Sequence, residues 1–464
     1  MSDKLLYLAS RVANGVFSFA TLAYLTRTLS PDQYGKYAMA ITYASVISGA
    51  FYGWLAISVG RFFYAYERLD FQKKIAELFL ITSGIVGILG FLGATFYLKG
   101  YSQQEKLLVV LATVTLAGHT ISLQFANAKI LPLIYSFQAI SRLALFLALA
   151  IIITSQGYSL SLILGAFIVS CLVPILVRPQ FSYGKPSGSM LGVGKKLLLF
   201  SVPLSMTLIS TVAIDAVGRY FIHGMLGSAA VGGFAAGYDL AQQSMGAIMN
   251  VFFLAYYPKM VAKYEAGPEE AKESLPGLLK ALQTDLFFYG AIQFCILYSA
   301  ATEICAILLG KEIAPSASSI IGYVSLGVLL NCMKAFYFDV AFMLEKKTWI
   351  SLFIMASMVV FSVVFNYALI SIFGVSGAGF TLVLTFGFGV ILSWFMGRKI
   401  IKFPNSMPDI LRNLTLTLIA CTICAFVSED RVWLALAMKI SAVCAVFGSY
   451  FIYARWKRSL PRAG

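Results

Sequence analysis

The sequence predicts an all-α protein that crosses a membrane many times, on three observations. The 464 residues are 59% hydrophobic and 12% charged, with a mean hydropathy of +0.84; soluble domains carry about 25% charged residues. The apolar residues come in continuous runs of about 20, the length a membrane helix needs, and do not alternate as in a barrel. Lys and Arg fall on alternating sides of these runs.

Fourteen runs follow in order. Span one, about 5–26, is interrupted by Arg11 and lacks a small-residue cleavage site, so it is expected as a retained helix and not a signal peptide. Spans two to six fall at about 37–60, 78–98, 107–128, 133–154 and 160–177. Gly84, Gly87, Gly90 and Gly93 recur at every third position of span three, which suits close helix packing. Spans seven to twelve fall at about 197–221, 230–257, 281–302, 316–341, 349–372 and 375–397, and spans thirteen and fourteen at about 410–428 and 432–453. The longest predicted loop is 258–280.

With the N-terminus placed in the cytoplasm, the inside loops hold 23 Lys and Arg and the outside loops 6. That bias predicts cytoplasmic N and C termini. The net charge of +15 then reflects topology and attraction to anionic lipid heads. It is spread over eight loops, so a nucleic-acid partner is not expected. The seven cysteines fall in or beside spans, and Cys421-x-x-Cys424 is taken as packing; no disulfide, metal or cofactor is assigned. No phosphate-binding loop is present, so ATP is not the expected energy source.

An internal repeat organises the chain. Leu29, Gly35, Tyr37 and Ala38 match Leu226, Gly232, Phe234 and Ala235 at an offset of 197, and Tyr66-Glu67 matches Tyr264-Glu265 at 198. Lys129 matches Lys346, and Gly157-Tyr-Ser matches Gly374-Val-Ser, at 217. Six spans per half make the halves parallel repeats, an arrangement in which substrate sites lie near the midplane. The predicted division is 1–196 and 197–400 for the two six-helix bundles and 401–464 for two further helices and a basic tail.

The segment 28–38, TLSPDQYGKYA, and the second-half segment PLSMTLISTVAIDAVGRYFIHGMLGSAAVGGFAAGYDLAQ at 203–242, with Arg219, Tyr220 and Ile222, resemble the polysaccharide-transporter branch of the multidrug/oligosaccharidyl-lipid/polysaccharide exporter superfamily, the O-antigen-type flippases. One departure is that Gly218 stands where that family often has Asp, while Asp215 lies one turn earlier. The resemblance implies a MATE-like fold of two six-helix bundles around a central cavity. It implies a flippase moving an undecaprenyl-pyrophosphate-linked oligosaccharide, an O-antigen or exopolysaccharide repeat unit, to the periplasmic leaflet of a bacterial inner membrane. It also implies work alongside a polysaccharide polymerase and a chain-length regulator. One chain supplies both halves, so a monomer is expected to suffice.

Ionisable groups inside spans cost about 2.5–3.5 kcal/mol each at mid-helix and are functional candidates. The basic ones are Arg11, Arg142, Arg219, Lys334, Arg412 and Lys439. Arg412 begins its helix and is expected to snorkel, and Lys439 has no evident partner. Arg11, Arg142, Arg219 and Lys334, with Arg61 at the mouth of span two, are the expected substrate-binding cations. Guanidinium groups replace the hydration a pyrophosphate loses. Asp215 and Arg219 lie at i and i+4 and can pair; Lys334 and Asp339 lie at i and i+5. Asp215, Asp339 and His119 are the candidates for proton or sodium coupling, although neutralising Arg219 is a plainer role for Asp215, and helix–helix hydrogen bonding a plainer one for His119.

The alternatives within the same superfamily are a multidrug exporter, which would favour an acidic cavity, and a lipid II flippase. A membrane-embedded polymerase or glycosyltransferase would need a large aqueous loop or an Asp-x-Asp pair. Neither is seen, and no catalytic residue is assigned.

Overall fold

The structure, a computed structural model, describes residues 3–66, 68–182, 190–405 and 407–459. Glu67 of the repeat, and Lys185 and Arg462 of the basic segments, lie outside the described residues. The described residues form helices and turns, with no strand among them.

The helices are α1 Asp3–Thr28, α2 Pro31–Phe62, α3 Arg68–Tyr97, α4 Gln103–Ala128, α5 Pro132–Ser155, α6 Leu160–Val177, α7 Met190–Leu226, α8 Ser228–Glu265, α9 Pro268–Ser299, α10 Ala301–Leu308 and α11 Ala314–Met333. A π-turn at Lys334–Phe338 and the short α12, Val340–Leu344, prolong α11; α13 Thr348–Phe373, α14 Val375–Gly397, α15 Met407–Ala425 and α16 Val432–Ser459 follow. Among the described residues, ten helical segments are long and apolar enough to cross a membrane, eleven with α9 and α10 taken as one span bent by 75°. This is a multi-pass membrane protein. The sharp bend of span nine at Ala300 was not anticipated.

The predicted loop at 258–280 is helical on both sides of one break. Its Lys, Glu, Ala and Leu residues favour helix. Gly267, at φ +128°, interrupts it, and Pro268 restarts it at a first-turn position where proline is tolerated.

The segment 28–38 acquires a mechanical explanation. Ser30 caps α2 and accepts from the Gln33 N–H at 3.3 Å, while its own N–H donates to Gln33 Oε1 at 3.0 Å. Pro31 occupies the first turn. This is a capping box, which satisfies backbone donors the helix leaves open. Four residues on, Gly35 passes the first turn of α8 so closely that a Cβ there would lie 1.8 Å from the Ser228 carbonyl oxygen. The contact is reciprocal, since a Cβ at Gly232 would lie 2.3 Å from the Pro31 carbonyl oxygen. Both pairs, Pro31 with Ser228 and Gly35 with Gly232, are separated by the repeat offset of 197.

Later turns repeat as well. Ile130 and Lys346 are the only described non-glycine residues with positive φ, at 56° and 57°. Ile130 N–H bonds the Asn127 carbonyl at 3.0 Å as Lys346 N–H bonds Met343 at 3.3 Å. Leu131 N–H likewise bonds Ala126 as Lys347 N–H bonds Phe342, each at 2.9 Å. The offset at these turns is 216, so Lys129 corresponds to Glu345, one residue from the match made on side-chain identity. Gly157 and Gly374, offset by 217, both adopt positive φ between helices, at 109° and 60°.

Two compact units are present, residues 1–232 and 233–464. This division falls later than the boundary at 196/197 expected from the sequence, because α7 lies along α2. Ser58 and Ser201 bond at 2.9 Å, and Gly49 and Gly53 face Ile209 and Ser205. The core of the first unit gathers Tyr52, Leu55, Val59, Phe63, Phe71, Ile75 and Phe125. In the second unit α11 packs on α14, while α15 and α16 join α9 through Cys295, Ala420, Cys424, Val443 and Phe447.

Candidate functional site

The eight residues singled out in the sequence separate by environment. Arg219 is 4% exposed and Asp215 5%, and Arg219 Nε donates to Asp215 Oδ1 at 3.0 Å. One helical turn separates them, which brings i and i+4 side by side. Tyr97 of α3 donates to the Ala216 carbonyl at 2.9 Å, and its ring lies 5.4 Å from both Tyr43 and Tyr220. Three tyrosines from α2, α3 and α7 thus form a ladder beside the pair.

Lys334 and Asp339 are paired in the second unit, Nζ to Oδ2 at 2.7 Å, with Lys334 1% exposed. Ser393 of α14 donates to Asp339 Oδ1 at 2.8 Å. Their i,i+5 spacing would splay on an α-helix. The π-turn, closed by Asp339 N–H on the Lys334 carbonyl at 2.9 Å, aligns them. Gly389 makes room: a Cβ there would meet Met358 and the Lys334 stem within 3.0 Å.

Arg142, half-buried on α5, lies beside the Cys171 thiol and near His119. His119 is 2% exposed, with Nε2 at 3.1 Å from the Gln138 carbonyl. The Gln138 side chain accepts from Ser122 at 3.1 Å and donates to the Arg178 carbonyl at 2.8 Å. A hydrogen-bonded seam therefore joins α4 and α5 next to Arg142. Arg11 and Arg61 are exposed on α1 and α2.

The structure thus brings together Asp215 with Arg219, Lys334 with Asp339, and His119 with Arg142. It also supplies partners the sequence did not. Lys439 bonds Glu303 of α10 at 2.6 Å. Arg412 bonds Asp409 at 2.8 Å and lies over the Tyr450 ring, so it is held in a contact network instead of simply reaching for water. Lys280 and Gln283 converge on the same Asp409, and Tyr337 of the π-turn donates to Gln283 at 2.9 Å.

A cavity of about 360 Å³ opens between α2, α4 and α7 within the first unit. One face of α2 shapes it, through Ser45, Gly49, Gly53, Ala56 and Gly60, spaced one turn apart. Thr120, Gln124 and Ser205 add two hydroxyls and an amide. Ile57, Ile209 and Val212 complete a mostly apolar, uncharged wall on which these three polar groups offer hydrogen bonds to a hydroxylated ligand. Arg61 follows Gly60 in the chain, at the end that the charge bias places in the cytoplasm. The cavity was missed in the sequence, where only the glycines of span three were singled out; the run of small residues on span two was the available signal.

No family model and no curated protein matches the sequence. Solved structures do. A lipid II flippase, MurJ in an inward closed conformation, aligns at a TM-score of 0.77 and 12% identity over 97% of this chain and 99% of its own. The fold is MATE-like. An inward-facing multidrug resistance MATE transporter of the MOP superfamily aligns at a TM-score of 0.60 and 15% identity, over 85% of this chain and 97% of its own. A MATE protein in a bent conformation aligns at 0.53 and 14% identity, over 90% and 98%. The flippase match leaves too little of this MATE-like chain unaligned to omit α15 and α16. None of the three is described as an enzyme.

Proposed function

We propose that this MATE-like protein is a flippase for a polyprenyl-pyrophosphate-linked saccharide, with an undecaprenyl-linked oligosaccharide repeat unit as cargo and a bacterial inner membrane as its location. One observation carries the reading: the end-to-end likeness to a lipid II flippase, which takes in the two C-terminal helices. That likeness favours lipid II itself as a second reading. The basic side chains of Arg11, Arg61 and Arg142 in the first unit support an anionic headgroup over a cationic drug.

The cavity beside α2 receives saccharide hydroxyls. Arg61 and Arg11, both exposed, meet the pyrophosphate first, and Arg142 follows. Arg219 and Lys334 reach a phosphate only by exchanging their carboxylate partners, Asp215 and Asp339, for phosphate oxygens. Each exchange replaces one charge-assisted bond with another, so a cation need not stand bare in the interior. The released carboxylates are then the positions where a proton or sodium ion couples to the step. A polymerase and a chain-length regulator act downstream, on the product.

The test is a deletion strain. Loss of the chain should leave lipid-linked oligosaccharide on the cytoplasmic leaflet, and the intact chain should restore its passage. Accumulation of lipid II instead would establish the second reading. Accumulation of neither, with sensitivity to cationic drugs, would overturn both.

A further inference from the structure

We propose that a cleft in the second unit, between the α8–α9 hairpin and the segment after α14, binds an anionic phospholipid of the surrounding bilayer. The cleft measures about 440 Å³, within the usual range for small-molecule sites. Its apolar wall comes from Leu275 and Leu279 of α9 and from Ile400 and Ile401 after α14, and Lys272 and Lys402 stand on it. This inference is independent of the translocation reading.

Three observations point to a lipid. The first is depth. Arg398 lies 4.8 Å from the Trp394 ring and 4.7 Å from the Phe395 ring, and Lys399 lies 5.1 Å from Phe395. Exposed aromatic and basic side chains stacked at a helix end mark the membrane–water boundary. The cleft begins at the next residues, at headgroup level. The second is charge. Four lysines of the same region are paired, Lys263 with Glu270, Lys280 with Asp409, Lys346 with Glu265 and Lys347 with Glu345. Lys272 and Lys402 have no ion pair among the described residues, and both are exposed. The third is the pairing of two open ammonium groups with an apolar floor, which matches a phosphate carrying acyl chains. Basic pockets between helices on the cytoplasmic side, where the charge bias places this end of the helices, take such headgroups.

Native mass spectrometry of the full chain in neutral detergent, titrated with phosphatidylglycerol or phosphatidylcholine, tests the assignment. Phosphatidylglycerol should form the tighter first adduct. Lys272→Gln with Lys402→Gln should weaken that adduct by about 30-fold, the sum expected of two interfacial lysines. Ile400→Trp, which fills the cleft and keeps both charges, should weaken it too. Lys346→Gln with Lys347→Gln should leave it unchanged, and every variant should still unfold in a cooperative thermal transition in neutral detergent. The assignment is overturned by an unchanged adduct in the Lys272/Lys402 variant, or by an equal loss in the Lys346/Lys347 control. Displacement of phosphatidylglycerol by equimolar undecaprenyl phosphate, or a dimer peak abolished by the same variants, would also overturn it.

Discussion

Arg219 and Lys334 carry charge into protein interior, and a carboxylate one turn away makes each tolerable. Removing one partner of a buried pair costs about 3–5 kcal/mol, whereas replacing both by apolar groups is close to neutral. Asp215→Leu alone should therefore lower thermal stability more than Asp215→Leu with Arg219→Leu, and both should abolish translocation. A double variant that recovers stability and also transports would make the pair a packing device only. At the edge that the charge bias places in the cytoplasm, the Tyr264 hydroxyl and Lys347 hold the Glu345 carboxyl below its ordinary value. A depressed pKa contributes stability above the unfolded value and loses it as pH falls through the folded value. The tie between the end of α8 and the turn after α12 should thus weaken on acidification below the usual Glu range. The effect is small, because Glu345 is solvated. Comparing unfolding midpoints at neutral and acidic pH for wild type and Tyr264→Phe should show a smaller pH dependence in the variant. These pairings were only partly legible in the sequence. Asp215 with Arg219 follows from helical spacing, but Glu303 with Lys439 joins residues that only tertiary contact brings together.

At the scale of elements, the contact between the first turns of α2 and α8 rests on two glycines that nothing larger can replace. A methyl at Gly35 would fall 1.8 Å from a backbone oxygen, which cannot yield as a side chain can. Gly35→Ala should destabilise the protein by at least about 3 kcal/mol, the upper range for overpacking. Gly60 is the counter-case, since a Cβ there has nothing within 4 Å. Gly60→Leu should leave the unfolding midpoint within about 1 kcal/mol of wild type while reducing translocation several-fold, because it fills the cavity beside Arg61. An unfolded Gly60→Leu, or one with full activity, would remove the cavity from the account. The helices themselves were legible because hydropathy and length nearly determine them in a bilayer. The π-turn was not, because the residue pattern of Lys334–Asp339 suits either helical register and the choice is made by Ser393 and the space at Gly389. The repeat was legible at Gly35 and Gly232, where backbone contact demands glycine. It slipped by one at Lys129, where the turn conserves backbone geometry and not the side chain.

For the whole molecule, composition and charge bias led to a many-helix membrane protein, and the solved structures of similar fold agree. The proposed cargo was less legible, because recognition of a saccharide would rest on neutral hydroxyls and amides that any membrane helix carries. The central claim is that intramembrane cations pass a lipid-linked pyrophosphate across the bilayer. The direct measurement reconstitutes the full chain in vesicles carrying an undecaprenyl-pyrophosphate-linked oligosaccharide and follows its arrival on the opposite leaflet with an impermeant probe. The wild type should move it, Arg61→Ala and Arg142→Ala should each slow it by tenfold or more (~1.4 kcal/mol per cation), and both variants should insert normally. Movement at the wild-type rate in both variants would contradict the claim.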